Sequence, residues 1–202
     1  MQQLLIATTN LGKVQELFTF LSDVPVSLVS LKDVSIIKDV EETGKTYREN
    51  AQLKAIYYAN LSGLPAISDD GGLEIAALHN QPGIKSRRWL GYHATDEELQ
   101  AHLQKVAMEL PDDNRKAVFR VVTSFALPSG EVWSTKGNIE GIIAKTSLPL
   151  LQGYPFRSFF FLPSLNKYYH ESQLTEEEMK AYNHRYKAIT KLKKIIQKQL
   201  SL

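Results

Sequence analysis

The chain has 202 residues, of which 43% are hydrophobic and 23% are charged, so it is long enough to bury a full core. Its 24 Lys and Arg residues nearly balance its 22 Asp and Glu residues, which gives no general case for nucleic acid as a partner. The absence of cysteine excludes disulfides and thiolate metal sites, and it leaves oxygen and imidazole as metal ligands. No apolar run approaches the ~18 residues of a membrane span, and the first residues lack the basic region of a secretory signal. We therefore expect a soluble protein with no membrane partner, and its composition is compatible with the cytoplasm.

The hydrophobic periodicity alternates between helix and strand along the chain, which predicts an α/β protein. Strands are predicted at 4–8, 26–29, 66–68, 73–78, 117–127, 131–133, 139–144 and 159–162. One helix is predicted after the turn at 9–12 and another at 46–61. Two more begin at the capping boxes of Thr95 and Thr175; the first of them ends before Pro111, and the second is the terminal helix.

The segment Ser68-Asp69-Asp70-Gly71-Gly72 places two adjacent carboxylates where an apolar strand runs into glycines. Because neighbouring side chains on an extended backbone point to opposite faces, the two aspartates are expected to have different roles. A carboxylate held at the end of a strand can bind a hard cation such as Mg²⁺ or accept a proton from water. An ordinary Asp-Gly turn is the alternative, and this segment taken alone favours it.

The segment 7–13 is predicted to leave a strand and open a helix. Such a turn presents free N–H groups and the positive end of the helix dipole, which suits a phosphate. Thr8, Thr9 and Asn10 add side-chain donors, and Lys13 adds a positive charge. A capped helix start with an exposed lysine explains the same residues equally well.

The segment 41–55 contains Gly44-Lys45-Thr46, but it lacks the earlier glycine that a Walker A motif requires. What remains is a pair of carboxylates ahead of a helix on which Asn50 and Lys54 share one face. Glu41 or Glu42 is expected to share a cation with the Asp-Asp segment, and Lys54 is expected to lie beside an anion.

Two further segments are Pro82–Trp89, a turn followed by basic and aromatic residues, and Asn183-His184-Arg185 in the terminal helix. A lone His-Arg pair is more often surface or capping chemistry than a site. Taken together with the acids, the lysines and the turn at 7–13, however, these segments describe a nucleotide site.

Five segments carry a resemblance that extends over nearly the whole chain. They are residues 7–16, 41–55, 68–73, 82–88 and 184–185. In order and spacing they resemble the inosine triphosphate pyrophosphatases, also called Ham1-like or non-canonical purine nucleoside triphosphate pyrophosphatases. We therefore expect residues 1–202 to form a single domain of this kind.

The resemblance implies both a fold and an activity. The implied fold is an elongated α/β structure with two lobes around a long mixed sheet, usually dimeric, with the nucleotide in the cleft between the lobes. The implied activity is hydrolysis of the α–β phosphate link of ITP, dITP and XTP, which releases a monophosphate and pyrophosphate and clears deaminated purines from the nucleotide pool. Mg²⁺ is the implied cofactor, because it screens phosphates and lowers the pKa of a bound water.

The resemblance also implies roles for individual residues. Glu41 and Asp70 are expected to bind Mg²⁺, with Asp70 also accepting the proton, while Asp69 supports the turn. His184 and Arg185 match the base-reading pair. The expected contacts to the rest of the nucleotide are Thr8, Thr9, Asn10, Gly12, Lys13, Lys54, Gly71, Tyr154, Phe156 and Arg157.

Five positions depart from the family pattern. Arg157 stands in place of an acid that helps to read the base, and Pro155 replaces a glycine. Met179 stands where a lysine is usual, Asn183 where a serine is usual, and Gly71 replaces a serine near the phosphates. The metal and phosphate half of the motif set is therefore kept, except at Gly71, while the base-reading half is altered.

The change to arginine bears most directly on substrate choice. A guanidinium only donates hydrogen bonds, so Arg157 reverses which base edges can be recognised. Tyr154 and Phe156 still supply rings for stacking. The sequence leaves the preferred base open, and a nucleotide-binding protein with altered specificity or lost turnover is the alternative to the enzyme.

Overall fold

The computed structural model describes residues 2–202 as an α/β protein. Its α-helices are α1 Leu11–Phe20, α2 Tyr47–Ser62, α3 Asp96–Glu109, α4 Glu176–Ala181 and α5 His184–Gln199. Its strands are β1 Gln3–Ile6, β2 Ser27–Ser30, β3 Ala66–Ile75, β4 Gln81–Pro82, β5 Lys116–Ala126, β6 Val132–Ile143, β7 Phe160–Leu162 and β8 Lys167–Tyr168. Within these residues, no helix combines the length and apolar character that crossing a membrane requires.

The eight strands form one sheet in the order β2-β1-β3-β5-β6-β7-β8, and β4 pairs with β3. β1 is parallel to both β2 and β3, whereas the pairs β3–β4, β6–β7 and β7–β8 are antiparallel. The prediction of an α/β fold with a long mixed sheet is therefore confirmed.

The glycines after the aspartates do not form the predicted turn. β3 continues from Ala66 to Ile75, so the two predicted strands and the turn between them are a single strand. Gly72 is needed because the chain approaches it closely: a Cβ there would lie 2.3 Å from the carbonyl oxygen of Gly83 and from Oγ of Ser86. Ser86 Oγ also accepts a hydrogen bond from the Leu73 amide at 3.0 Å. The glycine therefore allows close packing of an extended strand.

The terminal helix is divided in two, contrary to the prediction of one continuous helix. Its capping box at Thr175 is confirmed, since Thr175 Oγ1 accepts from the Glu178 amide at 3.2 Å. The helix nevertheless ends at Ala181, because Tyr182 leaves the helical conformation with φ −100° and ψ 11°. A new helix begins at His184, so the His-Arg pair lies in the first turn of α5.

Other predicted boundaries shift less. The strands expected at 131–133 and 139–144 join into β6, and residues 76–78 form a short 3₁₀ helix at the end of β3. The helices predicted at 46–61 and from Thr95 are confirmed as α2 and α3.

The chain forms two compact units. The first comprises the described residues up to Asp70, together with Val121–Gly137 and Arg185–Leu202. In this unit, residues 4–6 of β1 and the following Ala7 are fully buried. Their side chains alternate between two hydrophobic clusters, as expected for a strand that is covered on both faces. One cluster contains side chains of α1 and α5, and the other contains side chains of α2.

The second unit comprises Gly71–Arg120 and Asn138–His184. Its core joins side chains of α3 to β3, β5, β6 and β7 and to several aromatic residues. The aromatic core members are Phe119, Phe156, Phe159, Phe160 and Tyr169.

Candidate active site

Asp69 and Asp70 are neighbours on β3, and both are almost fully buried, with exposed fractions of 1% and 6%. They contact different partners, as the alternation of side chains along a strand predicts. The sequence-based expectation that the two side chains point to opposite faces is therefore confirmed, while the different roles expected for the two aspartates stay a prediction.

Asp69 is surrounded by positive charge. Its Oδ1 lies 3.3 Å from Nζ of Lys13, and its Oδ2 accepts hydrogen bonds from Nε and Nη2 of Arg185 at 3.1 and 3.0 Å. Burial opposes ionisation of Asp69, but the charges of Lys13, Arg185 and Lys54 outweigh burial and hold the pKa well below its usual range. The ionised form of Asp69 is therefore favoured beside its cationic neighbours.

Glu16 completes this buried group of charges. Its carboxylate accepts a hydrogen bond from Nη1 of Arg185, so the guanidinium is shared between Glu16 and Asp69. Glu16 falls within the 7–16 motif, yet the sequence assigned it no role. Nothing in the local pattern relates it to Arg185, because 169 positions separate the two residues.

Asp70 has a different environment from Asp69. Its Oδ2 accepts a hydrogen bond from Nδ2 of Asn50 at 3.1 Å, and its Oδ1 lies 3.9 Å from Nζ of Lys54. Lys54 Nζ in turn lies 2.5 Å from Oε1 of Glu42. The predicted placement of Asn50 and Lys54 on one face of a helix is confirmed, since both reach Asp70 from α2.

Burial raises the pKa of Asp70 to about 6; the charge of Lys54 opposes this effect and the charge of Glu42 adds to it. Burial disfavours the charged form of Lys54, but the negative charges of Asp70, Glu42 and Asp69 outweigh burial and raise the pKa of Lys54. The two adjacent aspartates thus have pKa values displaced in opposite directions.

The loop before α2 is attached to the helix that carries Asn50. The Gly44 amide donates to Oδ1 of Asn50 at 2.8 Å, and a Cβ at Gly44 would lie only 2.5 Å from that oxygen. Thr46 and Glu49 form a reciprocal capping box at the start of α2. The loop is thereby held so that Glu42 turns toward Lys54, while Glu41 is exposed.

The segment 7–13 leaves a strand and opens a helix, as predicted, but α1 begins at Leu11, within the turn predicted at 9–12. Asn10 is the N-cap of α1, where its Oδ1 accepts from the Lys13 amide at 3.0 Å, and its own amide donates to Oγ1 of Thr8 at 3.3 Å. Thr9 is exposed and Gly12 is buried in the first turn of the helix. Both alternatives apply in part: the helix is capped, but Lys13 pairs with Asp69 instead of extending into solvent.

The predicted base-reading residues other than Arg185 lie in the second unit. The guanidinium carbon of Arg157 lies 3.7 Å from the ring centroid of Tyr154 and 4.4 Å from that of Tyr169. His184 stacks on Phe119, with ring centroids 5.2 Å apart and an interplanar angle of 18°. Tyr169 was not identified from the sequence, and no local pattern marks it.

Arg157 is only 3% exposed. Its guanidinium contacts the two tyrosine rings in cation–π geometry. Phe156 is also buried, and its ring lies 5.8 Å from that of Trp89. The arginine that stands in place of the family's acid thus contacts the rings of Tyr154 and Tyr169.

The first unit therefore combines a buried carboxylate of raised pKa, a neighbouring carboxylate of lowered pKa, two lysines and the N-terminus of α1. Among residues 2–202, no group of three His, Asp or Glu side chains is arranged to hold a metal. Mg²⁺ is commonly bound by one or two carboxylates together with substrate phosphates, and such a site does not need a third protein carboxylate.

Comparison with known proteins identifies the family. The model of the Ham1 family matches residues 4–195. The chain belongs to the Ham1 family.

Relatives within this family are similar over nearly their full length. A dITP/XTP pyrophosphatase of Geobacter sulfurreducens is 36% identical over 193 residues, which cover 96% of each chain. A dITP/XTP pyrophosphatase of Shigella flexneri is 38% identical over 191 residues, which cover 94% of this chain and 95% of the relative. The solved structure of a HAM1 protein from Coxiella burnetii has a TM-score of 0.81 and 31% identity, covering 98% of this chain and all of that protein.

For this Ham1-family chain, the structure connects one part of the predicted site directly. Charged contacts in the first unit join Lys13 and Arg185 to Asp69, and Lys54 to the neighbouring Asp70. Glu42 belongs to these contacts through Lys54, whereas Glu41 is exposed. The assignments of Glu41 as a metal ligand and of Arg185 as a base-reading residue therefore stay predictions.

Proposed function

We propose that this chain is a metal-dependent nucleoside triphosphate pyrophosphatase that converts dITP- and XTP-like purine nucleotides into monophosphates and pyrophosphate. The names of the Geobacter and Shigella relatives support this class of substrate. The observation that carries the proposal is the pair Asp69 and Asp70, whose environments displace their pKa values in opposite directions. Such a pair indicates a division of labour between a charged anchor and a group that exchanges protons.

Asp70 and Glu42 are the residues that fit a bound Mg²⁺. Both are carboxylates, both lie against Lys54, and burial disfavours the ionised form of Asp70, an effect that a nearby cation would reverse. When bound, Mg²⁺ supplies charge neutralisation for the phosphates and a lower pKa for water.

The other steps fall to residues of the chain. Lys13, Lys54 and the N-terminal amides of α1 are suited to hold the negatively charged phosphates. Asp70 accepts the proton as water attacks phosphorus and the bond to the pyrophosphate oxygen breaks. Asp69 stays charged and keeps Lys13 in place.

Pyrophosphate release from a panel of nucleotides tests the proposal. With Mg²⁺, we expect kcat/KM for dITP and XTP to exceed that for dATP and dGTP by at least about tenfold, which corresponds to ~1.4 kcal/mol. Equal rates for all four would contradict the proposed substrate class. Binding of a nucleotide without turnover would instead support the alternative, a nucleotide-binding protein that has lost catalysis.

The two adjacent glutamates offer a matched pair for the metal site. We expect Glu42→Gln to raise the Mg²⁺ concentration needed for half-maximal activity by about tenfold, because Glu42 contacts the Lys54 that also contacts Asp70. Glu41→Gln removes the same charge at an exposed neighbouring position and is the control. If Glu41→Gln has the larger effect, the metal ligand is Glu41, as the family resemblance implies.

Three broader features belong to the same proposal. We propose that residues 1–202 act as one domain, which the repeated passage of the chain between its two compact units supports. We also propose a homodimer in the cytoplasm, on the basis of the family resemblance. Measuring the molar mass in solution checks the dimer.

A further inference from the structure

One face of α3 holds the loop of residues 145–158, called here the 145–158 loop. Nε2 of Gln104 donates to the carbonyl oxygen of Lys145 at 3.3 Å. Nε2 of Gln100 donates to the Leu148 carbonyl at 3.4 Å and to Oγ of Ser158 at 3.1 Å. Both ends of the loop are thus fixed by glutamines that lie one helical turn apart.

Asp96, in the first turn of α3, fixes the last part of the loop. Its Oδ2 accepts a hydrogen bond from the Gly153 amide at 2.5 Å, and its Oδ1 accepts one from Nη1 of Arg87. Asp96 is only 7% exposed, and the N-terminus of a helix favours a negative charge. Both carboxylate oxygens of Asp96 therefore accept a hydrogen bond, one from a backbone amide and one from the partly exposed Arg87 side chain.

The amide that Asp96 binds comes directly before the predicted base-reading residues. Gly153 has a φ of +83°, a left-handed conformation in which the chain turns, and Tyr154 follows it. The Arg157 amide donates to the Tyr154 carbonyl at 3.1 Å, and the guanidinium of Arg157 lies over the Tyr154 ring. The Gly153 amide thus lies immediately before the turn that carries the Tyr154 ring and the Arg157 guanidinium.

Arg87 extends the same contacts to the segment 82–88. This segment forms a 3₁₀ helix, in which Ser86 Oγ accepts from the Leu73 amide of β3, while Arg87 binds Asp96. The basic turn that the sequence singled out is thus a connector between β3 and α3, and its arginine contributes to holding the 145–158 loop.

We propose that Asp96 is a positioning residue for nucleobase recognition, which acts by holding the Gly153 amide and, through it, Tyr154 and Arg157. The proposal rests on the proposed function, since it assigns the 145–158 loop to the base. Gln100 supports the same loop from the next turn of the helix. Asp96 contacts neither Lys13 nor Lys54, the two lysines proposed to bind phosphate. Substitution of Asp96 is therefore expected to change the affinity for the base and not the affinity for the phosphates.

Three variants test the role of Asp96. Asp96→Ala removes both contacts, Gln100→Ala removes the neighbouring support, and Glu109→Ala changes an exposed residue of the same helix as a control. Calorimetry measures the affinity for dIMP, which carries a base, and for inorganic tripolyphosphate, which does not. Hydrogen exchange read by mass spectrometry reports the order of residues 153–157 without any ligand.

For Asp96→Ala we expect the affinity for dIMP to fall by about tenfold and the affinity for tripolyphosphate to change by less than about twofold. KM for dITP should rise more than kcat falls, and exchange at 153–157 should become faster. Gln100→Ala should show the same pattern at about threefold, and it keeps the test decisive if Asp96→Ala does not fold. Glu109→Ala should match the unmodified chain.

Unchanged exchange at 153–157, or equal losses of affinity for dIMP and tripolyphosphate, would overturn the proposal. The proposed function fails separately, through absence of turnover in the unmodified chain. The binding and exchange measurements do not depend on turnover, so the two failures are distinguishable.

Discussion

Asp70→Asn is expected to lower the rate of pyrophosphate release by about 10²–10⁴-fold, the range typical of a lost general base. The variant keeps the size of the side chain and can still accept the hydrogen bond from Asn50. It also removes a buried carboxylate whose burial disfavours its charge, so the melting temperature should not fall. Initial rates with dITP and a thermal denaturation curve measure the two effects.

Asp113→Asn is the control, because Asp113 is exposed and the same chemical change there should leave the rate unaltered. A rate within threefold of the unmodified chain for Asp70→Asn would show that Asp70 is not the proton acceptor. A large loss of thermal stability would show instead that its carboxylate is structural, as proposed for Asp69.

Arg185→Met is expected to reduce the free energy of unfolding by about 3–5 kcal/mol, the usual cost of removing one partner from a buried ion pair. Arg185 is 4% exposed and binds both Asp69 and Glu16, so its loss leaves buried carboxylates with fewer partners. Urea denaturation followed by circular dichroism gives the free energy of unfolding.

Lys194→Met provides the comparison for Arg185→Met, since it removes a positive charge from an exposed position of the same helix. We expect it to change the free energy of unfolding by less than about 0.5 kcal/mol. If Arg185→Met is as stable as this control but alters the ratio of rates for dITP and dGTP, the resemblance-based role of Arg185 in reading the base is correct, and its structural role is secondary.

The sequence predicts the site better where its chemistry is local. The opposite environments of Asp69 and Asp70 follow from the period of two along a strand, and the joint approach of Asn50 and Lys54 follows from the spacing of one helical turn. Both predictions depend on short-range geometry that every strand or helix shares, and both are confirmed.

Contacts across long sequence separations were not predictable. Nothing near Glu16 indicates that it binds Arg185, and nothing near Asp96 indicates that it binds the Gly153 amide 57 positions away. The capping box at Thr95 placed Asp96 correctly at the start of α3, but a helix start does not reveal which distant backbone its first carboxylate contacts.

The departures in secondary structure have a similar origin. Gly71 and Gly72 are typical turn residues, yet the close approach of Gly83 and Ser86 to Gly72 requires a glycine within an extended strand. The interruption between α4 and α5 contains neither glycine nor proline, so no local breaker marks it. Tertiary packing decided the first of these positions.

The continuous course of β3 constrains how this protein can vary. Ala66 and Ile67 pair with Leu5 and Ile6 of β1, and this pairing sets the phase of the strand up to the aspartates. A deletion or insertion of one residue between Ile67 and Asp69 would exchange the two faces, so that the cationic group around Arg185 met the wrong carboxylate. No loop lies between these positions to absorb such a change. We therefore expect insertions and deletions to be tolerated in loops but not at these few positions of the strand.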